Sequence, residues 1–196
     1  MEEKAGSPPI PGATTPCALI VIDVQLGFDD ASWGPANNPG FEANVARLLA
    51  GWREHGQPVV FVRHDSAKVG SPLAAGTPGN GYKAEVQGEP DLLITKQVHS
   101  AFYGRPDLDD WLQARSITSV AICGIATDHC CETTARMAGD LGYETYLVLD
   151  ATRTFDRVTP EGEVVAADLI ARATAASLNG EFATVLGTTE MLARLG

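Results

Sequence analysis

Three side chains of complementary chemistry stand just past short apolar runs: Asp23 after "CALIVI", Lys96 after "DLLIT", and Cys130 within "GIATDHCCETTAR". A thiol attacks a carbonyl only as the thiolate, and its free pKa is about 8.5. A helix N-terminus, a nearby ammonium and a carboxylate able to take the proton would together meet that need. Each residue also has an ordinary explanation. An aspartate at a strand end commonly caps a turn, a lone lysine is usually solvated, and a cysteine beside an apolar strand is usually a small core residue, which is how Cys17 and Cys123 read. Arrival of an acid, an ammonium and a thiol at one rim is what points to nucleophilic catalysis.

The adjacent Cys130 and Cys131 separate by helix phase. With Thr127 or Asp128 as N-cap, the spacing predicts a helix beginning near His129 with both cysteines in its first turn. Free backbone N–H groups and the positive end of the helix dipole favour an anion there. Ala135, Ala138 and Leu141 form the expected buried stripe, which Cys131 joins four residues before Ala135. Cys130, one residue round, faces the strand ends as the candidate nucleophile.

The elements that must position these groups alternate. Apolar, β-branched runs occur at 17–23, 58–62, 91–95, 119–123 and 144–150, with a sixth candidate, "FATVL", at 182–186. Nearly continuous apolarity is the pattern of strands buried on both faces. Helical patterns fall between them, over 40–56 with a Gly56 stop, over 107–116, after Cys130, and over 163–180. Strand alternating with helix predicts a three-layer α/β/α sandwich with a mostly parallel sheet of about six strands. In such sheets ligands bind beyond the carboxyl ends of the strands. That rim also holds Gln25 and Phe28 after the first strand, Arg63, His64 and Asp65 after the second, and His99, Phe102 and Tyr103 near Lys96. Residues 64–90 are rich in Gly and Pro and lack a period, the mark of a functional or mobile loop.

Length, 196 residues, and 44% hydrophobic content suit one large domain, expected over 17–196, after a disordered Pro/Gly/Ser/Thr-rich tail over 1–16. No apolar run approaches the roughly 20 residues of a membrane span and the first residues carry no signal-peptide core, so a cytoplasmic protein is expected. A net charge of −11 repels phosphate backbones and anionic lipid, which argues against nucleic acid and membrane partners. The four cysteines include no C-x-x-C pair and read as reduced thiols.

Three segments in order, "ALIVIDVQLGF", "ITKQVHSAFYG" and "GIATDHCCETTAR", resemble the isochorismatase-like cysteine hydrolases, a family that includes nicotinamidases, carbamoylsarcosine amidohydrolase and ureidoacrylate-type amidohydrolases. The resemblance runs from Ala18 to the C-terminus. It implies a catalytic triad of Asp23, Lys96 and Cys130. Asp23 takes the thiol proton and serves the leaving amine and the hydrolytic water, while Lys96 holds Asp23 and favours the thiolate. It also implies a cis peptide at Ile125–Ala126 and an oxyanion hole made by the amides of Ala126 and Cys130. Gln25, Phe28, Trp33, Tyr103, Thr127 and His129 are candidate substrate-binding residues. Nicotinamidases carry an aspartate-x-histidine metal motif after the second strand. Here that place reads His64-Asp65-Ser66, with no histidine from 65 to 98, so the resemblance is to the metal-free branch, with no metal or cofactor expected. The implied activity is hydrolysis of an amide, carbamoyl or lactam C–N bond of a small molecule through a thioester, by a homodimer or homotetramer. Alternatives are a nicotinamidase, an isochorismate-type vinyl ether hydrolase, whose branch lacks the cysteine, and a non-catalytic interaction module on the same fold.

Overall fold

Strand β1 (Cys17–Ile22) is apolar at every position and buried at every position, because both of its faces are covered. Leu19 and Val21 pack into one apolar cluster, and Ala18, Ile20 and Ile22 into another. The period of two along a strand assigns alternate residues to opposite faces. The computed structural model describes residues 16–195; most of the predicted tail lies outside the described residues.

Around β1 the sheet is built from β2 (Val59–His64), β3 (Leu92–Lys96), β4 (Ser119–Ile125), β5 (Glu144–Arg153) and β8 (Thr184–Leu186). Their spatial order is β3-β2-β1-β4-β5-β8, and every pairing is parallel. The candidate strand at 182–186 is therefore the edge strand β8, paired to β5. On one face lie α1 (Phe41–Glu54) and α5 (Thr188–Leu192). Phe41, Val45, Leu48, Leu49 and Trp52 of α1 enter the first cluster with Met191 of α5. Burying such side chains contributes about 1.5–3 kcal/mol each, and the Trp52 indole N–H donates to the Cys17 carbonyl at 2.8 Å. The other face carries α2 (Leu108–Gln113), α3 (Glu132–Asp140) and α4 (Ala167–Leu178), which bury Leu108, Leu112, Ala135, Ala138 and Leu178. A two-stranded antiparallel ribbon, β6 (Arg157–Val158) with β7 (Val164–Val165), follows β5. Among the described residues no helix is long and apolar enough to cross a membrane.

The long 64–90 stretch is organised by one buried side chain. The Asn80 amide donates to the His64 and Leu73 carbonyls and to Asp65 Oδ1, at 3.0–3.1 Å. An isolated antiparallel bridge, Gln25 to Tyr82, helps tie the same stretch to the end of β1.

Candidate active site

Asp23 is the first residue past β1, wholly buried, with φ 52°, a left-handed backbone that non-glycine residues adopt at a cost. Its N–H is fixed by the Val62 carbonyl at 2.9 Å. Lys96 ends β3, in register with His64 of β2. Since β2 lies between β3 and β1, the lysine stem spans one strand, and its ammonium reaches Asp23 Oδ2 at 2.5 Å. The same ammonium stands 3.4 Å from His64 Nδ1 and 3.4 Å from Cys130 Sγ. Cys130 comes from the other side of β1, beyond β4. β4 can approach β1 this closely only because residue 124 is glycine. At φ 130° an added Cβ would lie 1.9 Å from the Ile22 carbonyl oxygen.

The segment after β4 differs from the predicted helix start. Thr127–Cys131 forms a wide, π-type turn that leads into α3, and the residue before it, Ala126, makes no side-chain cap. Asp128, the expected cap, turns instead to Arg157, which donates Nε and Nη2 to its carboxylate at 2.8 and 3.0 Å. The Ile125–Ala126 peptide is cis. Cys131 is fully buried with Ala135 and Ala138, but Leu141 is 47% exposed, because α3 ends before it.

The thiol's ionisation runs opposite to the expectation from its helix terminus and ammonium. Burial and the Asp23 carboxylate push Cys130 up to about 12, and Lys96 only partly offsets them. Burial works against the Lys96 charge too, yet Asp23 and Cys130 hold its pKa above the ordinary lysine value. One ammonium thus has one counter-anion, Asp23, and the sulfur rests as the neutral thiol. His64 is held below its ordinary value by burial and by Lys96, so it too is neutral. Asp23 Oδ1 is buried and hydrogen-bonded to no described residue.

Asp23, His64 and Cys130 line a cavity of about 80 Å³, with Lys96 behind them. Of the residues expected to bind substrate, Phe28, Trp33 and His129 line it, together with Ala126. Phe28, Trp33 and Phe155 form one ring cluster, with centroids 4.9–6.1 Å apart, and the Trp33 indole N–H is already used on the Gly27 carbonyl. The other three do not line the cavity. Gln25 is fully buried, donating to the His64 and Asn80 carbonyls and accepting from the His64 N–H, and so clamps β1 to the long loop. The buried Thr127 hydroxyl donates to Thr152 Oγ1 at 2.8 Å. Tyr103 is 69% exposed on the far side of Lys96. Leu73, His64, His99, Phe155 and Arg157, none of them among the expected binding residues, also line the cavity. Both histidines stood on the predicted rim. Phe155 and Arg157 follow the fifth strand, where no local sequence pattern marks a ligand group.

Among the described residues Asp23, His64 and Cys130 are the one group spaced to hold a metal, their ligand atoms lying within 4.8 Å of one another. The Lys96 ammonium contacts all three, so a dication there would have to displace a buried cation. Asp65 is committed to Arg63 and Asn80. The donor set does not fit a metal.

The isochorismatase domain family matches residues 17–186. The isochorismatase family protein YrdC of Bacillus subtilis (strain 168) is 39% identical, over 89% of this chain and 94% of its own length. The ureidoacrylate amidohydrolase RutB of Variovorax paradoxus (strain S110) is 31% identical, over 76% of this chain and 79% of its own. A solved structure of an isochorismatase-family protein from Chromobacterium violaceum ATCC 12472 superposes with a TM-score of 0.88 at 36% identity, covering 97% of this chain and 99% of that one.

Proposed function

The chain belongs to the isochorismatase family of hydrolases, and from that premise we propose that it is a cysteine-dependent amidohydrolase. It cleaves a carbon–nitrogen bond of a small molecule, of amide, carbamoyl or lactam type, through a thioester acyl-enzyme. The observation that carries this reading is the division of the Asp23 carboxylate. Oδ2 is locked to Lys96, while Oδ1 is buried without a partner beside a neutral thiol. Oδ1 is thus free to accept the Cys130 proton as the sulfur adds to the substrate carbonyl. The ammonium, 3.4 Å from the sulfur, then stabilises the charge that develops on it. The Ala126 and Cys130 amides serve as the oxyanion hole. The tetrahedral adduct collapses as Asp23 returns the proton to the leaving nitrogen, and water hydrolyses the acyl-enzyme. A relative named as an amidohydrolase supports the C–N class.

The test is a panel of small amides, carbamates and lactams, assayed for released amine or ammonia with the native enzyme and with Cys130→Ser. Turnover is expected from the native enzyme alone. Mass spectrometry of quenched reactions should find the acyl group on the Cys130 peptide. Full turnover by Cys130→Ser, or an adduct on Cys131 with Cys130 unmodified, would overturn the assignment.

A further inference from the structure

The Cys130 sulfur has polar neighbours of two kinds. Asp23 and Lys96 have no exposed side-chain surface. His99 is exposed to solvent and lines the same cavity, with Nδ1 3.7 Å from Cys130 Sγ. The acylation steps above use only the buried pair. His99 packs against a second imidazole, His129, with ring centroids 5.5 Å apart at 47°. His129 Nε2 sits 3.5 Å from Asp128 Oδ2, and Asp128 is fixed by Arg157 and Thr154. A base in contact with the reacting sulfur and open to the solvent that supplies the hydrolytic water has the reach general-base catalysis requires.

We propose that His99 is the catalytic base of the second half-reaction, taking the proton of the hydrolytic water and delivering it to the departing Cys130 sulfur. The inference deepens the cysteine-hydrolase reading and rests on it. Once the leaving amine has carried off the first proton, Asp23 is a carboxylate with no exposed surface, whereas water reaches the thioester from the open cavity that His99 lines. A water oxygen adds to the thioester carbon while its proton passes to the Nδ1 lone pair of His99. The carbon–sulfur bond then breaks, and the thiolate recovers that same proton from Nδ1. The product leaves as the carboxylic acid, with water as the one co-reactant, one of its protons ending on the Cys130 sulfur and none exchanged with bulk solvent. The labour is divided, Asp23 serving acylation and His99 deacylation.

p-Nitrophenyl acetate separates the two halves, because nitrophenolate release reports acylation and steady-state turnover includes deacylation. In His99→Ala, acylation should stay within about threefold of the native rate while steady-state turnover falls by roughly 10²-fold. Acetyl-Cys130 should accumulate in that variant, as seen by peptide mass spectrometry. Because the site is open to solvent, added imidazole should restore turnover in proportion to its concentration, which loss of a merely structural residue would not allow. Unchanged steady-state turnover, failure of imidazole to rescue, or acylation and turnover falling together would each overturn the role of His99 alone. Absence of acetyl-Cys130 from the native enzyme as well as the variant would overturn the cysteine reading, and this inference with it.

Discussion

Replacing Asp23 by asparagine should make Cys130 more reactive toward alkylation while abolishing turnover. In the native enzyme the Lys96 ammonium has Asp23 as its counter-anion, so ionising the sulfur places a second negative charge beside the first. The ligand atoms of Asp23 and Cys130 lie within 4.8 Å. Two unit charges at that separation repel by about 3.5 kcal/mol at an effective dielectric constant of 20, roughly a 300-fold effect on the thiolate population. A thiolate of lower basicity is also a weaker nucleophile, with a Brønsted slope of about 0.4–0.5. The net gain in alkylation rate is then roughly 20-fold. Iodoacetamide labelling of the Cys130 peptide near pH 7.5, native against Asp23→Asn, measures it. Lys96→Met is the sign control, since losing the ammonium should slow labelling. Turnover of Asp23→Asn should fall by roughly 10²-fold or more, because no buried carboxyl remains to take the thiol proton and return it to the leaving nitrogen. If Asp23→Asn were labelled no faster than the native enzyme, the shared-counterion picture would be wrong; if it kept its turnover, Asp23 would not be the base.

Three further outcomes follow from the same geometry. Gln25→Ala removes three hydrogen bonds of a buried side chain and should lower stability by about 2–4 kcal/mol in denaturant melts, and an unmoved midpoint would refute its role as a clamp. His64 and His129 are both held below 6.5, His64 by burial and Lys96, His129 by burial with Arg157 against Asp128. The folded state therefore refuses protons that the unfolded chain accepts. Stability should be whole above about pH 6.5 and decline as pH falls from 6.5 through the folded values, and thermal melts of the native protein and the double glutamine variant should differ in that window. Activity should survive exhaustive dialysis against a chelator, because the Lys96 ammonium already contacts every donor of the candidate cluster; loss on chelation with recovery on added zinc or iron would refute that.

What the sequence reveals about this site depends on how local the deciding physics is. Asp23, Lys96 and Cys130 are legible because each follows an apolar run whose two-sided burial marks a central strand, and the carboxyl ends of parallel strands converge whatever the loops do. The helix phase that separates Cys130 from Cys131 is legible for the same reason, as far as Ala135 and Ala138. It fails at Leu141, where α3 has already stopped. Gln25 and Thr127 were misplaced because polar residues at a strand mouth serve the backbone as readily as a ligand. Gln25 finds its partners 39 and 55 residues away. Arg157 was missed because its place in the cavity follows from β5 continuing to Arg153 and from a bidentate pair with Asp128, neither of which has a local pattern. The ionisation of Cys130 is furthest from the sequence. The composition of the site, with one acid, one ammonium and one thiol, is compatible with either Asp23 or the sulfur carrying the negative charge. What decides is the burial of the sulfur, together with a carboxylate that holds the ammonium at 2.5 Å while the sulfur stands 3.4 Å from it. The sulfur is therefore held as a thiol, and under the mechanism proposed above it would ionise only in the act of attack, which makes the unpartnered oxygen of Asp23 as necessary to that mechanism as the sulfur.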